Sequence, residues 1–430
     1  AAGGVDVGVG VSVFDGDQVL FANGNRVDRE GLIAMAGRLA KAVGKEMKVD
    51  RIDPRPTPRR IVSTVVVPPG SVDTARKVAI LRRAEDAARH HDHRVTQVSC
   101  AYRDAEQSVL VAGSDGLFAA DLRTYVTLHV VAVARERDQI RTGIEARSET
   151  RGFEFFDLVP PEGIGREAAR QAILQLEARP APAGTFTVVL SAAAGGTMVH
   201  EACGHGLEAD FIEKGLSVYA GRVGQQVASP LVTVVDDGTL PNKRGSSVID
   251  DEGAPTTRVM LIDRGVLHGY LHSRRTARHF KTSPTGNGRR ESYRHLPIPR
   301  MRNTMILSGT TPPAEIVSGV KDGILICRMG GGEVDVATGN FVFNCSEAYR
   351  IRDGRVAEPL RDATLVGNGP EVLSTIDAVG SDLGFGVGTC GKEGQGVPVA
   401  DAQPTLRIPR IVVSGTDSEP ADAAARGGAR

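Results

Sequence analysis

Two histidines and a glutamate fall within six residues, His200-Glu201-Ala-Cys203-Gly204-His205, directly after an apolar, strand-like run over 185–191. In the common zinc helix the histidines stand four apart on one face, with a glutamate beside the metal as general base. Here the second histidine is five residues on. Five steps at about 100° each leave the two side chains roughly 140° apart on a regular α-helix, too far to share one ion. To hold a common metal, the backbone must widen locally into a π-type turn, a distortion that concentrates at functional sites. Gly204 is placed to ease it. The alternative is two polar histidines at a helix start, one capping and one exposed.

The 430 residues exceed one ordinary core, so two domains are expected. Lys plus Arg and Asp plus Glu balance at 52 each, which argues against a dominant nucleic-acid or anionic-membrane role. Five widely spaced cysteines, at 100, 203, 327, 345 and 390, make no disulfide framework and fit a reducing compartment. The first residues lack the basic and apolar parts of a signal peptide, and no apolar run reaches about 18 residues. A soluble cytoplasmic protein is expected. With no Trp, the core must rest on Val, Ile, Leu and Ala.

Alternation of Val5, Val7, Val9, Val11 and Val13 with small or polar residues predicts a half-buried strand, turned at Asp15-Gly16-Asp17. Asp28 caps a predicted helix that stops at Gly44. Residues 54–58 and 68–70 are proline loops. A second helix is predicted over 73–89 with Val78, Leu81 and Ala88 inward. Strands follow over 95–102, 108–112 and 122–134, then a helix over 162–178. From 185 onward the pattern is strand-rich: 231–235, 258–262, 305–307, 323–329, 341–343 and 347–351. The reading is an α+β fold: an N-terminal sheet-and-helix domain over 1–180, a mostly antiparallel β domain over 185–415 carrying the metal-binding helix, and a disordered tail over 416–430. His90-His91-Asp92-His93 sits among charges at a helix end, where cationic side chains favour the dipole, and is read as surface rather than metal site.

The string H-E-A-C-G-H-G-L-E-A-D-F over 200–211 resembles the signature of the TldD/PmbA metalloprotease family, whose catalytic subunit carries H-E-x-x-x-H. Further blocks resemble the family in the expected order: Asn242-Lys-Arg-Gly-Ser-Ser-Val-Ile-Asp-Asp-Glu-Gly253, Gly265-Val-Leu-His-Gly-Tyr-Leu-His272, Thr285-Gly-Asn-Gly-Arg-Arg-Glu-Ser-Tyr-Arg-His295, Gly330-Gly-Gly-Glu-Val-Asp335 and Thr389-Cys-Gly-Lys-Glu-Gly-Gln-Gly-Val-Pro398. The resemblance spreads over nearly all of residues 185–415.

The resemblance implies a Zn2+ site with His200, His205 and Cys390 as ligands and Glu201 as general base toward a zinc-bound water. Cys203 is read as a small core residue. The implied reaction is hydrolysis of peptide bonds in unfolded peptides or leader segments, admitted as an added strand. Arg289, Arg290, Tyr293, His295 and His272 are candidate substrate contacts; the alternative is a structural ion-pair network. The implied assembly is a homodimer, or a heterodimer with a PmbA/TldE-type subunit. The competing function is a non-catalytic peptide-binding or assembly subunit, which has no need of all four site residues.

Overall fold

A computed structural model describes residues 2–16, 18–43, 53–56 and 62–416. The fold is α+β. The alternating valines form β1 (Val9–Asp15), paired antiparallel with β2 (Gln18–Gly24); Val5 and Val7 lie ahead of the strand. In α1 (Arg29–Val43), Asp28 accepts the Gly31 N–H at 2.7 Å, the expected cap. The stop expected at Gly44 and nearly all of the tail lie outside the described residues. Of the first proline loop, Arg55–Pro56 is instead a two-residue strand beside Leu117 and Phe118.

Asp73 caps α2 (Thr74–Arg89), whose buried stripe is Ile80, Ala84 and Ala88; Val78 and Leu81 are only half-buried at its flank. Next come β3 (Val95–Ala112), β4 (Leu117–Glu136) and β5 (Gln139–Glu149), an antiparallel sheet. The helix α3 (Pro161–Glu177) joins α2 over one face, packing Ala168 and Ala172 into a core with Val126, Leu128, Val130 and Ala132. The break expected between 102 and 108 does not exist, because Arg103 through Gln107 pair with Thr127 through Arg123. Backbone bonds carry that pairing, so charged side chains are tolerated; Asp104 meets Lys77 at 2.6 Å. The strand β5 gives little sequence signal, because its polar residues lack an apolar alternation.

Among the strands that follow are β6 (Gly184–Leu190), β7 (Val234–Asp237), β8 (Arg258–Asp263), β9 (Thr304–Ile306), β10 (Asp322–Val334), β11 (Asn340–Arg352), β12 (Ala363–Asn368), β13 (Gly384–Lys392), β14 (Gln395–Gln403) and β15 (Leu406–Ser414). The two pieces expected at 341–343 and 347–351 are one strand, β11. Pairings run β10–β6–β15–β12–β11 and back to β10, closing a five-stranded ring. Val188, Leu190, Ile324, Ile326, Phe341 and Phe343 belong to the core cluster there. Each strand of the ring has a partner on both sides, and Arg355–Arg361 pairs outside it with β11. A second sheet starts at the short strand Val266–Leu267, continues β8–β7–β9–β14–β13, is mostly antiparallel, and ends at β13. Among the described residues, no helix is long and apolar enough to cross a membrane.

Candidate metal centre

The chain leaves β6 at Leu190, and Ser191 caps a short turn by accepting the Ala193 N–H at 3.2 Å. Gly195 and Gly196 then pass against the β13–β14 hairpin. A Cβ on Gly196 would lie 2.2 Å from the Ala402 nitrogen, and Gly195 takes φ +69°. Only glycine permits that approach. The histidine helix therefore starts pressed onto the hairpin that carries Cys390.

Residues His200–Gly204 form a π-helical turn, closed by the His205 N–H donating to the His200 carbonyl. Five-residue spacing thereby brings both imidazoles to one side, with ring centroids 4.9 Å apart. The buried Tyr219 hydroxyl donates to the Ala202 carbonyl at 2.8 Å and pins the turn. Gly204 has ordinary right-handed angles, φ −54° and ψ −57°, so freedom of backbone is not what it supplies. A Cβ there would fall 2.1 Å from Met301 Sδ. Cys203 points away, its thiol toward the Val199 carbonyl within the core.

Cys390 arrives from β13, and its Sγ lies 3.5 Å from His205 Nε2. Donor atoms of His200, His205 and Cys390, all buried, lie within 4.8 Å of one another. Ligand atoms of a tetrahedral zinc ion stand about 3.3–3.6 Å apart; the Cys390–His205 pair is at that spacing, and no pair of the three exceeds 4.8 Å. Two imidazoles and a thiolate are donors that suit zinc and not Mg2+ or Ca2+. Burial pushes the Cys390 thiol up, but His200 and His205 outweigh it and bring it down to about 5, toward the thiolate that a metal binds. By size and donor chemistry, these residues fit the ion.

The second nitrogen of each imidazole faces a carboxylate, the arrangement that aims a metal-binding ring. His205 Nδ1 is 3.0 Å from Glu208 Oε2. His200 Nδ1 is 3.0 Å from Asp401 Oδ2, an ion-pair distance at an angle short of a hydrogen bond. Lys392 stands two residues beyond Cys390, on the same face of β13. Its ammonium donates to Glu208 Oε2 at 3.0 Å, Asp210 Oδ1 at 2.7 Å and the Pro299 carbonyl at 3.1 Å. Arg300 donates to the Cys390 carbonyl and holds its Nε 3.9 Å from Glu208 Oε1. The thiol strand is thus tied to the carboxylate that orients His205. Sequence reasoning misses Glu208, Asp401 and Lys392, although Glu208 and Lys392 stand inside the family-like blocks around His205 and Cys390.

Glu201 is half-buried; burial raises its carboxyl pKa against the opposing pull of His200 and His205. Among the described residues, none of the five candidate substrate contacts pairs with His200, Glu201, His205 or Cys390. Arg289 is buried and donates to the Met301 and Pro398 carbonyls. The Arg290 backbone donates to Asp251 Oδ2 at 2.8 Å. Tyr293 donates to Asp6 at 3.1 Å, and His295 Nδ1 meets Ser292 Oγ at 3.0 Å. His272 is buried beside Phe280, and burial draws its pKa down to about 4.

Comparison with known proteins points to one family. The model of the PmbA/TldA metallopeptidase C-terminal domain matches residues 183–415, and that of the central domain matches 67–176. A protein named metalloprotease TldD homolog, from Haemophilus influenzae, is 40% identical over 425 residues, covering 96% of this chain and 88% of that one. A crystal structure from Thermotoga maritima, described as a candidate DNA gyrase modulator, aligns with a TM-score of 0.78 at 23% identity, over 95% of this chain and 89% of that one. TldE from Thermococcus kodakarensis aligns with a TM-score of 0.72 at 18% identity, over 94% and 89%. At such identities these two structures speak to the fold alone. The matched domains and the extent of the 40% identity settle the family: the chain belongs to the PmbA/TldD metallopeptidases.

Proposed function

We propose that the chain is a zinc-dependent peptidase of the TldD type, hydrolysing peptide bonds in unfolded peptides or leader segments. The observation that carries this reading is the convergence of His200, His205 and Cys390 beside Glu201. We assign the first three as ligands. Three protein ligands leave one coordination position for chemistry, whereas structural zinc sites usually close with four. When bound there, zinc supplies a Lewis acid that polarises a carbonyl and lowers the pKa of water toward about 7.

Glu201 acts as general base, taking a proton from the attacking water onto its carboxylate and passing it to the leaving amine. Glu208 and Asp401 hold the imidazoles so that their free nitrogens converge. Among the described residues β13 pairs with β14 alone, so its outer edge offers backbone donors and acceptors to an extended peptide. Such pairing reads little sequence, as unfolded substrates require. Arg289, Arg290, Tyr293, His295 and His272 remain proposed substrate contacts, of which Arg289, Tyr293 and His295 also bond within the protein. Five free cysteines support a cytoplasmic setting. Assembly as a homodimer, or with a PmbA/TldE-type subunit, belongs to the same reading and follows from membership of the family. A binding-only subunit would have no use for a buried thiol between two carboxylate-oriented imidazoles.

Replacing Glu201 with Ala is expected to keep the fold and the zinc while slowing cleavage of an unstructured peptide by about 10²-fold or more. An unchanged rate in that variant would overturn the mechanism.

A further inference from the structure

The block Asn242-Lys-Arg-Gly has no part in the centre above, yet it is held in place. Asn242 takes φ +60°, its carbonyl accepts the Thr150 N–H at 3.1 Å, and a Cβ on Gly245 would meet the Arg302 carbonyl at 2.1 Å. Lys243 and Arg244 line a cavity of about 250 Å3 between β5 and the β13–β14 hairpin, together with Arg147, Glu149, Phe385 and Val387. Three cations thus face one acid.

Most of these charges are already engaged. Glu149 pairs with Arg151 at 2.5 Å, Arg147 with Glu145 at 2.8 Å, and the Lys243 ammonium sits 4.1 Å above the Phe385 ring. Arg244 is different: its Nε is buried without a hydrogen-bond partner, and no carboxylate among the described residues pairs with it. Burial draws its pKa down, Tyr125 opposing and Arg103 adding repulsion. Arg244 is half-buried, so its guanidinium is partly withdrawn from water with no counter-charge beside it, and its planar fork matches a carboxylate.

The position of the cavity says which carboxylate. Side chains alternate along a strand, so Phe385 and Val387 face the cavity while Cys390 and Lys392 face the metal centre. Val387 and Cys390 are about 10 Å apart along β13 at the usual rise. A peptide lying on the open edge of β13, its cleaved bond near Cys390, would turn alternate side chains toward the cavity a few residues away. We propose that this cavity is an anion subsite taking a carboxylate of the bound peptide, from an acidic side chain or from the chain end, with Arg244 as its main contact. The proposal rests on the peptidase reading above.

The test uses the zinc-loaded full chain carrying Glu201→Gln, which binds without cleaving. Fluorescent unstructured peptides with a single Glu or its Gln counterpart, each with a free or amidated C-terminus, are titrated by polarisation. The expected result is about tenfold tighter binding of a carboxylate-bearing form, equal to about 1.4 kcal/mol. That preference should vanish in Arg244→Gln, with affinity for the neutral peptide kept within about twofold. An advantage that follows the Glu assigns the side chain, and one that follows the free terminus assigns the chain end. Lys243→Gln, expected to weaken the preference, serves if Arg244→Gln fails to fold. Equal binding of all four peptides, or a preference that survives in both variants, overturns the subsite alone. Binding of none by the folded, zinc-loaded protein overturns the peptidase reading along with it.

Discussion

His90-His91-Asp92-His93 packs three histidines into four residues at the end of α2, whereas His200 and His205 stand five apart with Glu201 and three small residues between them. The denser run is the weaker metal site. His90, His91 and His93 are exposed, His90 Nδ1 is satisfied by the Asp86 carbonyl at 2.7 Å, and Asp92 is engaged by Arg94. His200 and His205 are buried, each faces a carboxylate, and a thiol from a strand 185 residues later completes the set. Converging donors depend on enclosure and on fixed ring orientation, which demand more of the sequence than the histidines themselves. Lys392, Glu208, Asp401 and Tyr219 meet part of that demand.

The largest break in the contrast is expected from Lys392→Met. It leaves Glu208 and Asp210 facing each other without their shared cation, and stranding buried charge costs about 3–5 kcal/mol. Thermal or urea unfolding should show the loss, and a melting temperature equal to the wild type would contradict the clamp. Glu208→Gln is a milder change that keeps the shape and removes the charge behind His205. Zinc affinity, measured by competition with a chelating dye, should fall by about 10- to 100-fold; an unaltered affinity would mean that His205 needs no orienting carboxylate. At the small end, His93→Ala should leave both zinc content and melting temperature unchanged. A drop in zinc there would place a metal on the exposed cluster and dissolve the contrast.

Much of the centre is legible in the amino-acid sequence. The five-residue spacing demands a π-type turn if the histidines are to cooperate, and His200–Gly204 is one. Cys390 stands out only through family resemblance, since nothing local distinguishes a thiol on a glycine-rich strand from a small core residue. The local pattern suggests backbone freedom as the reason for Gly204, but the Met301 sulfur that excludes a side chain there comes from about a hundred residues away. Lys392 and Asp401 are invisible for the same cause: their partners are set by hairpin register and sheet order. Strand β3 reads as two pieces because its middle is charged, and backbone pairing does not register such side chains.

The central claim is that His200, His205 and Cys390 together hold one zinc ion. Elemental analysis of purified wild type beside Cys390→Ser tests it most directly. The account predicts close to one zinc per wild-type chain and a marked loss in the variant, with both proteins folded. Little zinc in a folded, zinc-supplied wild type would contradict the metal centre itself, and full zinc in both proteins would contradict Cys390 as its third ligand.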